Sequence, residues 1–383
     1  MVILLVLALA TLFIIAAMGL ELGLGNRLLI RLGRVEPFTR VHPLPPVSVI
    51  IPARNEAGTI EAALRSVAGQ DYPRFEVIVL DDRSDDATGA IIDRMASELP
   101  GLRAVHVRDV PPGWLGKNHA LWVGAGQAKG ELLLFTDADV MMERTLLSRA
   151  VTHMTKAQLD HLAVIPRVDA PGLALQACVN GFVVFFCSFY KPWRARRPGP
   201  YHIGIGAFNL LRAGVYRRIG THQAIAMCPD DDMKLGKLVK IAGFRQDVVD
   251  GHDVLSVRWY ESVGGLVRGL TKNAFAATDY RVVPMVFAIL AQVVVFLWPL
   301  AALALTTGTI RWLNAASVLC SLLMFRDTAR FSRFSPVVAL GYPFAVAVTA
   351  CICGRAMVLN LAQGGIAWRG TRYPLQQLRA NRV

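Results

Sequence analysis

Residues 131–139 read ELLLFTDAD. The apolar run Leu132–Phe135 has the length and composition of a strand buried on both faces. Two carboxylates follow it at once, Asp137 and Asp139, separated by Ala138. Acids at alternate positions just past a strand can both reach one hard cation, Mg²⁺ or Mn²⁺, of the kind that is shared with substrate phosphates. Alone, such a pair reads equally well as a helix cap or a solvated turn. Its place behind a buried strand favours chemistry.

Working outward, three similar apolar runs come earlier: VSVII (47–51), EVIVL (76–80) and RAVHV (103–107). Between them lie stretches of helical length, 58–69, 85–98 and 117–128. Strands alternating with helices predict an α/β, Rossmann-like domain with a mostly parallel sheet. Such sheets bind ligands beyond the carboxyl ends of their strands, where the strand order reverses.

The strand ends are where polar residues collect. Pro52, Arg54 and Glu56 close the first; an arginine there suits a phosphate or a base, and a glutamate suits a ribose hydroxyl. Asp81 and Asp82 close the second, in VLDDRSDDATG. One of them is expected to face ligand, while Asp85 or Asp86 caps the next helix. Lys117 opens a helix in GKNHAL, a place that favours an anion, although the phosphate-cradling GxxxxGK[ST] spacing is absent. Asp230, Asp231 and Asp232 are adjacent acids whose mutual repulsion raises at least one pKa toward that of a general base; helix capping is the plainer alternative. Arg258 and Trp259 offer a guanidinium for a diphosphate and an indole for stacking, or simply an arginine packed on a core tryptophan.

Composition places this domain beside a membrane. Of 383 residues, 54% are hydrophobic and 18% charged, against about 25% charged in ordinary soluble domains. Residues 2–20 carry no charge and are long enough to span the hydrocarbon core. They lack the basic leader and short core of a signal peptide. Arg27, Arg31, Arg34 and Arg40 follow, which puts the N-terminus outside and the catalytic part in the cytoplasm. Prolines 43, 45 and 46 mark a linker. Residues 173–190 are apolar but interrupted, and basic residues follow them; they are expected to form an interfacial helix, with a buried core helix as the plainer alternative. Three more apolar runs cover 282–307, 312–325 and 336–361, the second short for a span. Arg326, Arg330 and Arg333 suggest a cytoplasmic loop before the third. Three crossings would leave the basic tail (Arg369, Arg372, Arg379, Arg382) outside, against the positive-inside rule, so one run is expected to be re-entrant or interfacial. The domains are therefore an N-terminal transmembrane helix (1–31), a catalytic domain (47–281), transmembrane helices (282–361) and a basic tail (362–383).

The net charge of +13 is concentrated beside the apolar segments, with nine Arg against one Asp in residues 282–383. That distribution suits anionic lipid rather than nucleic acid. The six cysteines form neither a zinc pattern nor a disulfide framework, and none of the eight histidines is assigned to metal.

In order, PARNE, LDDRSDDAT, GKNHAL, TDAD, DDMKL and VRW resemble the motifs of membrane-bound family 2 glycosyltransferases, over about residues 47–260. Among these, the chain is most similar in style to ceramide, hopanoid-associated and carotenoid glycosyltransferases, and WRGTRY (368–373) follows the apolar runs much as in members acting on lipids. The resemblance implies a glycosyltransferase A fold and an inverting single displacement. It implies that Asp137 and Asp139 hold Mg²⁺ or Mn²⁺ and that Asp232, paired with Asp231, is the general base. The donor, a UDP-linked sugar, would be held by Pro52, Arg54, Glu56, Asp81, Asp82, Lys117, Ala138, Arg258 and Trp259. The acceptor would be a membrane lipid. Two departures stand out: the acid pair is Asp231-Asp232 where Glu-Asp is commoner, and Leu255 replaces the usual Gln or Arg three residues before the Arg-Trp pair. The incomplete motif argues for single transfer. A processive polysaccharide synthase and a catalytically silent nucleotide-binding scaffold are the competing readings.

Overall fold

The computed structural model describes residues 1–37, 44–368, 371–381 and 383. Arg40, Pro43, Arg369, Gly370 and Arg382, invoked above, lie outside them. Along the chain come α1 (Val2–Leu28), β1 (Val47–Ala53), α2 (Ile60–Ala68), β2 (Phe75–Asp82), α3 (Thr88–Glu98), β3 (Leu102–Val107), α4 (Gly116–Gln127), β4 (Leu132–Phe135), β5 (Val140–Met142), α5 (Leu146–Lys156), β6 (His161–Ile165) and β7 (Arg167–Val168). They are followed by α6 (Leu173–Tyr190), β8 (Asn209–Arg212), α7 (Ala213–Arg218), α8 (Asp231–Ile241), β9 (Gln246–Asp250), β10 (Leu255–Val257), α9 (Val263–Ala274), α10 (Val282–Gln292), α11 (Trp298–Leu305), α12 (Gly308–Phe331), α13 (Tyr342–Ala362), β11 (Gly365–Trp368), β12 (Thr371–Pro374) and α14 (Leu375–Ala380). The chain divides into two compact units, a sheet unit (29–169, 194–258 and 380–383) and a helical unit (1–28, 170–193 and 259–379).

The sheet unit is built on a seven-stranded sheet in the order β3-β2-β1-β4-β8-β6-β9. β8 runs antiparallel to β4 and β6; the other neighbours are parallel. The strand order turns back between β1 and β4, which makes that gap the switch point. The register places Ala53 opposite Asp81 and Ile50 opposite Phe135, so the polar segments after these strands emerge at one edge. Alternation along the strands builds two cores. Val49, Ile51 and Leu134 face one side with α2, α3 and α5, while Ile50, Leu80 and Phe135 face the other with α4 and α8. A small sheet, β5-β10-β7, pairs Val257 with Val140 immediately beyond the Asp137–Asp139 turn.

In the helical unit, Ile15, Leu22, Val184, Phe296, Phe325 and Tyr342 share a core. Among the described residues, five helices are long and apolar enough to cross a membrane: 2–28, 173–194, 282–305, 308–331 and 336–362. The helix 282–305 contains one π-helical stretch, Val293–Leu297, just before Pro299, whose missing N–H breaks the regular ladder. One expectation is corrected here. The second C-terminal run is not short, because the helix continues through Arg326, Asp327 and Arg330 to Phe331. Within it, Asp327 accepts two hydrogen bonds from Arg27, at 2.7 and 3.0 Å. The expected basic loop is reduced to residues 332–335, with Arg333 alone of the three arginines in it.

Candidate active site

The site grows from a close approach of two backbone segments. Thr136 follows β4 and donates its hydroxyl to Ala207 O (2.7 Å), and Asp137 N donates to Gly206 O (3.1 Å). Gly206 N in turn donates to Asp232 Oδ2 at 2.8 Å. A Cβ on Gly206 would stand 2.6 Å from Asp137 Oδ2 and 3.6 Å from Asp232 Oδ2. A glycine is therefore what lets these carboxylates converge. Asp232 lies in the first turn of α8, where Met233 N donates to its Oδ1 (2.8 Å) and the helix dipole favours negative charge.

Lys117, at the start of α4, joins the same cluster. Its ammonium is 2.9 Å from Asp137 Oδ1 and 3.2 Å from Asp231 Oδ1. Burial alone would lower its pKa, but Asp137, Asp231 and Asp232 outweigh that and hold it above its ordinary value. The acids respond oppositely. Burial and the neighbouring Asp231 push Asp232 up to about 7, against the pull of Lys117. Burial, Asp137 and Glu56 push Asp139 up to about 7. Burial also raises Asp231, with Lys117 opposing. Lys117, Asp137, Gly206, Asn209, Asp231 and Asp232 line a cavity of about 10 Å³, room for about one water molecule.

The segments after β1 and β2 interlock beside this cluster. Glu56 N donates to Thr88 Oγ1 (2.8 Å), and Asp86 accepts from Ala57 N (3.2 Å) and Thr88 N (2.9 Å). Asp86 thus accepts from the first amide of α3, but the N-cap position is Ala87 and carries no side-chain cap. Asp81 accepts from Ser84 N (3.1 Å) and lies 3.2 Å from His106 Nδ1. Asp82 is buried against Arg83 (2.9 Å) and abuts Gly116, where a Cβ would lie 2.4 Å from its Oδ2. Arg54 is partly buried, and its Nε has no hydrogen-bond partner.

A family model described as glycosyl transferase family 21 matches residues 9–380. The chain belongs to this glycosyltransferase family. The resemblance read from the motifs was to family 2 enzymes, including ceramide-glucosylating ones, and the matched family bears the number 21. Among curated relatives, the chain is 25% identical over 232 residues to 4,4'-diaponeurosporenoate glycosyltransferase of Staphylococcus haemolyticus, covering 59% of this chain and 60% of that protein. It is 32% identical over 124 residues to beta-monoglucosyldiacylglycerol synthase of Synechocystis, covering 32% and 26%. The matched segments thus span less than two thirds of either relative. Among solved structures, the mannosyltransferase PcManGT from Pyrobaculum calidifontis, in complex with GDP-Man and Mn²⁺, aligns over 94% of this chain and 99% of its own with a TM-score of 0.55. At 19% identity that likeness speaks for the fold.

Within this glycosyltransferase fold the sequence-derived residues fall into place unevenly. Lys117, Asp137, Asp231 and Asp232 form one cluster, and Glu56 lies close enough to Asp139 to perturb it electrostatically. Pro52 is buried within β1, opposite Leu80, and Ala138 is buried between the two aspartates. Arg258 follows β10 one step past the Val257–Val140 pair, which sets its backbone beside that of Asp139. Trp259 belongs to the helical unit and packs on Phe182 (4.9 Å) and Tyr260 (5.0 Å). Leu255 is buried in the core of the sheet unit, so the position that often carries a polar residue is here a packing position.

Two kinds of residue escaped the sequence reading. Gly204 and Gly206, in HIGIGAFN, were visible as a pair of small residues, but their partner was not. Asn118, fully buried in α4, donates to Ile225 O (2.8 Å) and Cys228 O (2.9 Å). It thereby holds the loop that delivers Asp230–Asp232. From the sheet unit's last segment, Asn381 meets the same loop, accepting from Met227 N (2.7 Å) and donating to Ala224 O (3.0 Å). Replacing Asn118 by Ala strands buried carbonyls at a cost of about 1–3 kcal/mol. A clear drop in thermal unfolding temperature is expected; an unchanged one would show the loop to be held by other contacts.

Among the described residues no three His, Cys, Asp or Glu side chains are grouped so as to hold a metal ion. The acids nevertheless suit one. Asp139 is crowded by Asp137 and Glu56, and an added cation relieves that repulsion. Mg²⁺ in particular is commonly held by one or two carboxylates with substrate phosphates completing its shell.

Proposed function

We propose that this glycosyltransferase moves one sugar, with inversion, from a nucleotide-sugar donor to a hydroxyl of a membrane lipid. The observation that carries the reading is the cluster of Lys117, Asp137, Asp231 and Asp232 beside the β1–β4 switch point, on a chain whose described residues include five helices apolar enough to cross a membrane. The names of the two relatives, a diaponeurosporenoate glycosyltransferase and a monoglucosyldiacylglycerol synthase, support a lipid acceptor. The Pyrobaculum neighbour, solved with GDP-Man and Mn²⁺, supports a sugar nucleotide and a divalent cation.

In this reading the sheet unit is the catalytic domain, facing the cytoplasm. Glu56, Asp82 and Arg54 hold the nucleoside of a UDP-linked donor; Arg258 and Lys117 meet its diphosphate. Asp137 and Asp139 would hold Mg²⁺ or Mn²⁺, which neutralises charge growing on the leaving diphosphate. Lys117 bridges Asp137 and Asp231, so it adds a positive charge at the same place. Asp232, with its carboxylate fixed by Gly206 N and Met233 N, takes the proton from the acceptor hydroxyl as the anomeric carbon is attacked. The buried Leu255 leaves the motif used around a growing polymer incomplete, which supports single transfer.

The direct test is incubation of the purified protein with a panel of nucleotide sugars and total membrane lipid, read by mass spectrometry. A lipid heavier by one sugar is expected. A ladder of products indicates a polymer synthase, and donor binding without product indicates a silent scaffold. EDTA is expected to stop transfer, and added Mg²⁺ or Mn²⁺ to restore it. Undiminished transfer after exhaustive chelation removes the metal role of Asp137 and Asp139.

A further inference from the structure

We propose that the chain crosses the bilayer three times, through α1, the continuous helix 282–305 and α12, and that α6 and α13 lie along the membrane surface on the catalytic side. This goes beyond the reading above and rests only on its membrane part.

β4 and β6 precede α6, and β8 and β9 follow it, yet all four belong to one sheet. The chain leaves the sheet unit after Asp169 and re-enters it at Arg194. A bilayer cannot divide a hydrogen-bonded sheet, so the two ends of α6 are on one side. Its apolar length therefore does not make it a crossing. Leu173 and Phe189, exposed near its two ends, suit the headgroup boundary.

The C-terminal helices obey the same constraint. The chain leaves the sheet unit after Arg258 and returns at Ala380, where Asn381 is hydrogen-bonded to the 224–228 loop. The number of crossings in between must be even, yet three apolar helices occupy the interval.

Contacts inside the helical unit identify the odd one. α12 runs parallel to α1: a Cβ on Gly19 would meet Met324, and one on Gly23 would meet Asp327. Arg27 pairs with Asp327 at the end of α1 where the chain enters the sheet unit. The C-terminal end of α12 is therefore on the catalytic side. The helix 282–305 starts on that side and joins α12 through residues 306–307, so the two form a transmembrane hairpin. α13 then starts on the catalytic side, beside α6, where a Cβ on Gly181 would come within 2.9 Å of Ala345 Cβ. It also ends there, because Trp368 stacks on Lys272 of α9 (4.3 Å) and Arg379 donates to Tyr280 O (2.9 Å) just before the chain returns.

Charge agrees independently. In this arrangement Arg326, Arg330, Arg333, Arg372 and Arg379 all fall on the catalytic side, and Arg311 stands alone by the far turn. The positive-inside rule, violated by three C-terminal crossings, is then obeyed.

The test uses the full chain with its native cysteines replaced and single exposed cysteines introduced as Thr307→Cys, Ser335→Cys, Gln363→Cys and Gln376→Cys. Intact cells are treated with a membrane-impermeant maleimide, then again after permeabilisation. Retained donor-dependent transfer confirms that each variant is folded. Thr307→Cys is expected to label in intact cells, and the other three only after permeabilisation. Labelling of Gln363→Cys and Gln376→Cys from outside would make α13 a crossing and overturn the proposal. Protection of Thr307→Cys until permeabilisation would overturn the hairpin. Alkaline carbonate extraction separates the premises: release of the protein would sink the membrane reading itself, whereas retention with the wrong labelling pattern sinks only this topology.

Discussion

Asp232→Asn is expected to lower the transfer rate by about 10²–10⁴-fold, the usual contribution of a positioned base, while donor affinity stays near that of the parent. The separation follows from geometry. Asp232 is anchored by Gly206 N and Met233 N, whereas the donor is proposed to rest on Glu56, Asp82, Arg54, Arg258, Lys117 and the Asp137–Asp139 turn, of which Lys117 pairs directly with Asp137 and Asp231. An asparagine oxygen can keep one of the two anchoring bonds. Its amide then faces the other N–H and leaves it unpaired, a loss of about 1–3 kcal/mol. That is small enough to be checked by thermal unfolding and set apart from the kinetic effect. Titration with nucleotide sugar and single-turnover transfer give the two readouts. Loss of binding in parallel with transfer would remove Asp232 as base and make it part of the donor pocket.

How far the sequence could reach is clear from individual residues. The strand runs 47–51, 76–80 and 131–135 were legible because buried parallel strands leave continuous apolar stretches, and the observed β1, β2 and β4 fall on them. Asp137 and Asp232 were legible as acids at element ends. Their juxtaposition was not, since it depends on Gly206, whose meaning is a missing Cβ beside a segment 70 residues earlier in the chain. Asn118 was hidden for a related reason: an asparagine in a helix signals nothing until the carbonyls of residues 225 and 228 are seen to need a donor. The extent of α12 was hidden because Arg326 and Arg330 look like the end of an apolar run, whereas the helix carries them to Phe331.

Gly206→Ala is the sharper probe of the site, because it adds one methyl group and no charge. The new Cβ would stand 2.6 Å from Asp137 Oδ2, too close for contact, but the obstacle is the far end of a side chain that is 40% exposed and can rotate at the expense of its pairing with Lys117. Folding should therefore survive while Asp137 leaves its place against Lys117. Displacement of about 1 Å at a reacting centre can cost about 100-fold, and a loss of that order is expected, with a higher requirement for Mg²⁺ or Mn²⁺. Gly204→Ala supplies the contrast. Its Cβ would fall 1.8 Å from the backbone oxygen of Asp232, where no rotamer change helps and the start of α8 must move. Overpacking of this kind costs about 1–3 kcal/mol or more, so Gly204→Ala should lower thermal stability as well as activity. Wild-type turnover in a folded Gly206→Ala protein would mean that Asp137 and Asp232 are neighbours without a shared task.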